Sequence, residues 1–313
     1  MDNAIIMEIS SFIRKTAGWL KLSRPAFHSV GMFPFILGTI LAWRLDGVFH
    51  TAIGVLGVLA VISVMLSTYY AGEYSDYRED TISRSIFKSR FSGGSGAIQE
   101  GTISRREAQY ASIIALVSAG IIGIILQFGL DTGPYTIPLG ILGIFSGFFY
   151  STRPVRLVTR GVGEIFIGFC YGWLPIATAF YIQAGYLHPL VHWMGLPIGL
   201  TVFNVILLNE FNDYPADQAT GKRNILVRLG IEKGIVLYAL VSILAWTALF
   251  CAIYAGVPAR ALYLYIPVII LSALITGGLL IRKDKNRTAL ETLCGLNIAV
   301  NLGTTASLAF AFV

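Results

Sequence analysis

Residues 209–224 read "NEFNDYPADQATGKRN" and follow directly on an apolar run, "GLTVFNVILL" (199–208). Three carboxylates, Glu210, Asp213 and Asp217, fall within eight positions, and Lys222 and Arg223 come just after. A second stretch repeats the pattern. Residues 72–80 read "GEYSDYRED", again at the end of an apolar run. Aligned, Glu73 matches Glu210, Asp76 matches Asp213, Tyr77 matches Tyr214 and Asp80 matches Asp217. Residues four apart on a helix are separated by about 6 Å along the axis and roughly 40° around it. Asp76 therefore shares a face with Asp80, and Asn209 with Asp213 and Asp217. Two such faces opposed across a helical bundle direct at least four carboxylates into one cavity.

The runs around these motifs decide the fold class. Of the 313 residues 55% are hydrophobic and 13% charged, against about 25% charged in a soluble domain. Nine stretches are apolar and long enough to cross a bilayer, which takes roughly 20 residues each. They lie near 25–43, 51–72, 108–130, 132–152, 161–187, 189–209, 234–259, 261–281 and 292–313. Such continuous runs exclude barrel strands. The expectation is an all-α integral membrane protein, residues 1–313 forming a single domain. Nine transmembrane helices make two four-helix units plus one, each motif closing the second helix of its unit. Residues 1–24 form a cytoplasmic segment in which Ile5, Ile6, Ile9, Phe12 and Ile13 recur at helical spacing, as in a helix lying on the lipid surface.

Charge sets the orientation. With these spans, 21 of the 23 Lys and Arg fall on one side, Arg44 and Arg260 being the exceptions. The positive-inside bias places that side, the N-terminus and both acidic motifs in the cytoplasm, and an odd span count sends the C-terminus out. The membrane is expected to be a prokaryotic inner membrane. No basic stripe interleaved with aromatics is present, so the net charge of +6 does not point to nucleic acid.

Clustered carboxylates repel one another and resist ionising. A divalent cation removes the difficulty: Mg²⁺ prefers oxygen and bridges a few carboxylates to substrate phosphate oxygens. Arg84, Lys88, Arg90, Lys222 and Arg223 supply further positive charge. Solvated loop charges are the plainer reading of one DxxxD, but two copies at matching ends of two spans weigh against it.

On these motifs the sequence resembles the UbiA superfamily of intramembrane prenyltransferases, with NxxxDxxxD after helix two and DxxxD after helix six. "NEFNDYPAD" matches at Asn209, Asp213 and Asp217; "GEYSDYRED" matches at Asp76 and Asp80 but has Gly72 in place of Asn. "SRPAFHSVGMFPFILG" (23–38) is similar to the family's Arg-Pro opening and implies that Arg24 lies near the diphosphate. "YSTRPVRL" (150–157) is similar to a family Tyr followed by a basic residue; Pro154 takes the basic slot, so Arg153 or Arg156 would substitute for it beside Tyr150. "GGSGAIQEGTIS" (93–104), "TRGVGEIFIGFCYG" (159–172) and "DQATGKRNILVRLG" (217–230) most resemble the 1,4-dihydroxy-2-naphthoate branch of menaquinone biosynthesis, which carries a Glu in the second of these stretches, where this chain has Glu164.

The resemblance implies Mg²⁺-dependent transfer of a prenyl group from a polyprenyl diphosphate to an aromatic acceptor in the membrane. The metal would sit on Asp76, Asp80, Asn209, Asp213 and Asp217, the four aspartates being the catalytic set. Substrates would be bound by Arg24, Arg84, Lys88, Tyr150, Arg153, Glu164, Asn209, Lys222 and Arg223. Other acceptors remain open: 4-hydroxybenzoate, homogentisate, glycerol or sugar phosphate, haem, or the substrate's own double bond in a terpene cyclase. A transporter predicts ionisable residues at mid-membrane depth, whereas this chain keeps them at the cytoplasmic ends.

Overall fold

A computed structural model describes residues 3–313, with side chains from Glu8 onward. The side chains of Ile5 and Ile6 thus lie outside the described residues. The elements are α1 (Asn3–Leu22), α2 (Pro25–Asp46), α3 (Thr51–Ser75), α4 (Tyr77–Ile86), α5 (Arg105–Ile124), α6 (Thr136–Ser151), α7 (Gly163–Tyr171), α8 (Trp173–Ala184), α9 (Pro189–Thr220), α10 (Ile225–Leu229), α11 (Ile231–Tyr254), α12 (Arg260–Leu280) and α13 (Arg287–Phe310). No strand occurs among the described residues. The protein is all-helical and integral to the membrane, and among the described residues 8 helical segments are long and apolar enough to span.

Local sequence explains most helix ends. Pro25 and Pro189 open α2 and α9 at the first helical position, where the missing N–H costs nothing. Ser104 and Glu107 form a reciprocal capping box at the start of α5. Gly47 and Gly221 close α2 and α9 in left-handed conformations.

Three expected spans come out differently. The stretch expected near 132–152 is the 16-residue α6, about 24 Å long against a core of about 30 Å. Asp131 and Gly133 take positive φ and Pro134 follows, so the helix starts only at Thr136. The span near 161–187 is broken at Gly172 into α7 and α8. There a Cβ would lie 2.4 Å from Gly199 Cα of α9, so the break is also a backbone-to-backbone contact that only glycine permits. The span near 189–209 continues to Thr220, 32 residues in all. At about 48 Å it overshoots the hydrocarbon and carries its acidic motif beyond it.

Packing runs around a ring. α3 lies along α5 and α6; α2 packs on α8; α7 and α8 pack on α9, and α9 on α11 and α13. The last helix, α13, also touches α12 and α2 and closes the bundle. Buried amides bind the second half together. Asn204 Nδ2 donates to Ser242 Oγ at 2.9 Å, Asn297 Nδ2 to the Asn204 carbonyl at 2.8 Å, and Asn301 Nδ2 to Thr201 Oγ1 at 2.9 Å. His192 Nδ1 accepts from Trp173 Nε1 at 2.9 Å, which gives that histidine a partner within the bundle.

Candidate active site

The first acidic motif does not sit on one uninterrupted helix. α3 ends at Ser75, Asp76 adopts φ −94° and ψ 17°, and α4 begins at Tyr77. The Asp80 N–H still donates to the Asp76 carbonyl at 2.9 Å, so the four-residue spacing survives the bend. The second motif stays helical through Pro215 to Thr220. α4 packs on α9, and the two motifs meet.

They meet in a cleft of ≈ 1120 Å³, a volume that includes solvent space at its mouth. Asp76 and Asp80 line one side, Asn209, Asp213 and Asp217 another, and Arg24, Tyr150 and Lys222 also face it. Arg24 donates to Glu73 Oε1 at 2.9 Å, Arg156 to Asp76 Oδ1 at 2.8 Å and Glu79 Oε1 at 2.7 Å, and Lys222 lies 3.3 Å from Asp217 Oδ1. Among the described residues these pairs leave Asp80 and Asp213 with no cation within salt-bridge distance. Burial, then the neighbouring charges of Glu73 and Asp76, push the Asp80 carboxyl well above its ordinary value. Lys222 is held well above its own: burial opposes the charge, but Asp217 and Asp76 outweigh it. Arg24 follows the same logic, with burial opposed by Glu73 and Asp80.

A glycine-rich loop, 92–96, bridges the two motifs. Ser95 N and Oγ donate to Glu73 at 2.6 and 3.0 Å, and Gly93 N donates to Asp213 Oδ2 at 3.2 Å, beside Ser83 Oγ. Gly94 has φ +67°, and a Cβ there would lie 2.4 Å from Asp80 Oδ2. Both the conformation and the close approach require glycine.

Other residues singled out from sequence lie outside the cleft. Arg84 sits behind the loop, on the Gly94 carbonyl and Glu100. Lys88, Arg153 and Arg223 are exposed. Arg153 faces a separate groove, and it is Arg156 that reaches Asp76. Glu164 is fully buried and turned to the N-terminus of α10, its Oε1 accepting from Ile225 N at 2.8 Å. It thereby anchors the segment that carries Lys222. Sequence reasoning passed over Glu73 and Glu210 as mere matched positions. Glu73 ties Arg24 to the loop, whereas Glu210 is buried, lines the cleft and has both carboxylate oxygens without a partner.

Among the described residues no three His, Cys, Asp or Glu side chains converge closely enough to hold a metal unaided. The donor set nonetheless suits Mg²⁺, which binds through one or two carboxylates and lets substrate phosphates complete its shell. Asp80 and Asp213 have no cation, and Asn209 Oδ1 is buried with no partner.

Comparison with known proteins identifies relatives in sequence and in fold. The sequence model of the UbiA prenyltransferase family matches residues 31–300. The 1,4-dihydroxy-2-naphthoate octaprenyltransferase of Escherichia coli (strain K12) is 27% identical over 227 residues, 70% of each chain. A UbiA homolog from Aeropyrum pernix K1 superposes with a TM-score of 0.67 at 14% identity, covering 91% of this chain and 98% of that one. A UbiA homolog from Archaeoglobus fulgidus, solved bound to GPP and Mg2+, has a TM-score of 0.57 at 17% identity, covering 94% and 99%.

Proposed function

Because the chain belongs to the UbiA prenyltransferase family and is a prenyltransferase, we propose that it transfers a polyprenyl group from its diphosphate to a dihydroxynaphthoate-type acceptor in menaquinone biosynthesis. The observation that carries this reading is the meeting of both acidic motifs in one cleft that continues into an apolar one. The naphthoate class is favoured by the 27% identity to a 1,4-dihydroxy-2-naphthoate octaprenyltransferase.

In this reading Asp76, Asp80, Asn209, Asp213 and Asp217 hold Mg²⁺. When bound, the metal neutralises the diphosphate and assists its departure as a leaving group. Arg24 and Lys222 add positive charge where negative charge develops. Arg156 holds Asp76 from behind, and the loop 92–96 covers the diphosphate. Carbon–oxygen cleavage leaves an allylic cation, which the ring faces of Tyr69, Tyr150 and Tyr171 stabilise by roughly 2 kcal/mol or more in a desolvated site. Walls of packed helix keep water from it. The acceptor ring carbon bonds to the cation; its carboxyl then leaves as CO₂, and the released electron pair restores the aromatic ring.

The topology that goes with this function has nine crossings in two four-helix units plus α13, with α6 as the ninth. The motifs and N-terminus face the cytoplasm of a prokaryotic inner membrane and the C-terminus lies outside. α1 lies on the cytoplasmic surface, where Ile9, Phe12, Ile13 and Leu20 are exposed and meet lipid.

The test is purified protein with Mg²⁺, a prenyl diphosphate and separate acceptors: dihydroxynaphthoate, 4-hydroxybenzoate, homogentisate, glycerol phosphate, a sugar phosphate and haem. Product with dihydroxynaphthoate alone supports the reading. Product with another acceptor, or a cyclised hydrocarbon with none, replaces it.

A further inference from the structure

An apolar cleft of ≈ 890 Å³, open solvent space included, adjoins the acidic one; Thr68, Ile167 and Tyr171 line both. Its walls come from the first half of the bundle, and three of them measure its depth independently. Gly57 precedes Thr68 by eleven residues on α3, Thr136 precedes Gly147 by eleven on α6, and Ile182 follows Tyr171 by eleven across α7 and α8. At 1.5 Å per residue each run spans about 16 Å.

Two side chains meet across the far end. Phe35 and Ile182, 1% and 2% exposed, meet over Gly57, where a Cβ would stand 2.3 Å from the tip of the Phe35 ring and 2.9 Å from Ile182 Cδ1. Ala179 and Tyr181 share one buried apolar cluster with them, together with Leu139 and Leu174 of the cleft wall. Hydrogen bonds at the outer surface fasten it: His50 N donates to Gln183 Oε1 at 2.7 Å, Gln183 Nε2 to the His50 carbonyl at 3.1 Å, and Tyr135 N to Tyr181 Oη at 3.1 Å.

Resting on the function proposed above, we infer that Phe35 and Ile182, seated on Gly57, set the length of prenyl chain that this enzyme binds best. One extended isoprene unit covers four carbon–carbon bonds, about 5 Å. The first unit stays with the allylic carbon beside Tyr69 in the acidic cleft. Three more fill the 16 Å beyond it, so a C20 chain ends on the Phe35 ring. A longer chain must bend back or leave sideways, losing the apolar contacts of its inner units.

The test measures Mg²⁺-dependent binding of unreactive prenyl thiolodiphosphates of C10, C15, C20 and C40 to the full-length enzyme, so that no acceptor is needed. In the wild type, affinity rises to C20 and falls by roughly tenfold or more at C40. Phe35→Ala lengthens the cleft and raises C40 affinity relative to C20. Gly140→Leu acts oppositely: Gly140 lines the cleft seven residues short of Gly147, with open space around its added Cβ, so the variant packs normally. It moves the optimum to C10 or C15. A length profile that is the same in all three folded proteins overturns this inference alone. Absence of Mg²⁺-dependent binding at every length overturns the functional reading and this inference with it.

Discussion

Replacing Asp80 by Asn separates metal binding from folding more sharply than any other single change. The side chains are isosteric, and Asp80 has no salt-bridge partner to strand. Its carboxyl is pushed above the ordinary aspartate value by burial and then by Glu73 and Asp76. An acid whose folded-state pKa exceeds its unfolded one costs stability once the pH is high enough to ionise it. Asn removes that cost, so at pH 7 without Mg²⁺ the variant melts at the wild-type temperature or higher. Catalysis responds in the opposite sense. Loss of one ligand to a charge-stabilising group costs about 10²–10³ in rate, or about 2.7–4 kcal/mol. Thermal unfolding and prenyl transfer across a Mg²⁺ titration are measured on the same preparation. Wild-type turnover in the variant at low Mg²⁺ refutes the reasoning, and so does a lowered melting temperature with turnover intact.

Other residues give independent checks. Arg24→Ala raises the KM for prenyl diphosphate by roughly tenfold or more, because a charged hydrogen bond contributes about 1.5–3 kcal/mol; steady-state kinetics measures it, and Arg24→Lys recovers part of the loss. Glu164→Ala leaves the Ile225 N–H unpaired and lowers stability by about 1–3 kcal/mol, while Glu164→Gln keeps that acceptor and stays close to wild type in denaturation and turnover. Gly94→Ala forces a side chain into φ +67° against Asp80, with a strain of about 1–2 kcal/mol and a drop in Mg²⁺-dependent rate. Apparent Mg²⁺ affinity falls as pH falls, since the metal must displace a proton from Asp80. The upward shift of Asp80 starts this loss at higher pH than for an ordinary aspartate near 3.9, and Asp80→Asn flattens the profile seen in calorimetry.

Which parts of this molecule are legible in its sequence follows from what each feature depends on. The paired motifs and the apolar runs are local patterns, and Asp76, Asp80, Asn209, Asp213 and Asp217 do line one cleft. Asp76, at the bend, is held by Ser151 and Arg156, and the break at Gly172 lies against Gly199 of α9; periodicity alone does not register a neighbour. The short α6 was foreshadowed by "DTGPY" (131–135), where Gly133 and Pro134 delay the helix. Basic residues were hardest to assign, because long side chains choose partners in three dimensions. Arg153 and Arg156 are equivalent on paper, yet only Arg156 meets Asp76 and Glu79. The twin positions Glu73 and Glu210 align, but Glu73 has Arg24 and Ser95 for partners while Glu210 has none.

The central claim is that the acids of α3–α4 and those of α9 act as one Mg²⁺–diphosphate clamp. Calorimetric binding of a prenyl thiolodiphosphate, with and without Mg²⁺, to wild type, Asp80→Asn, Asp213→Asn and the double variant tests it most directly. One clamp predicts that binding needs Mg²⁺, that each single change removes most of it, and that the double change costs little more than either alone. Mg²⁺-independent binding, or two single losses that simply add, contradicts it.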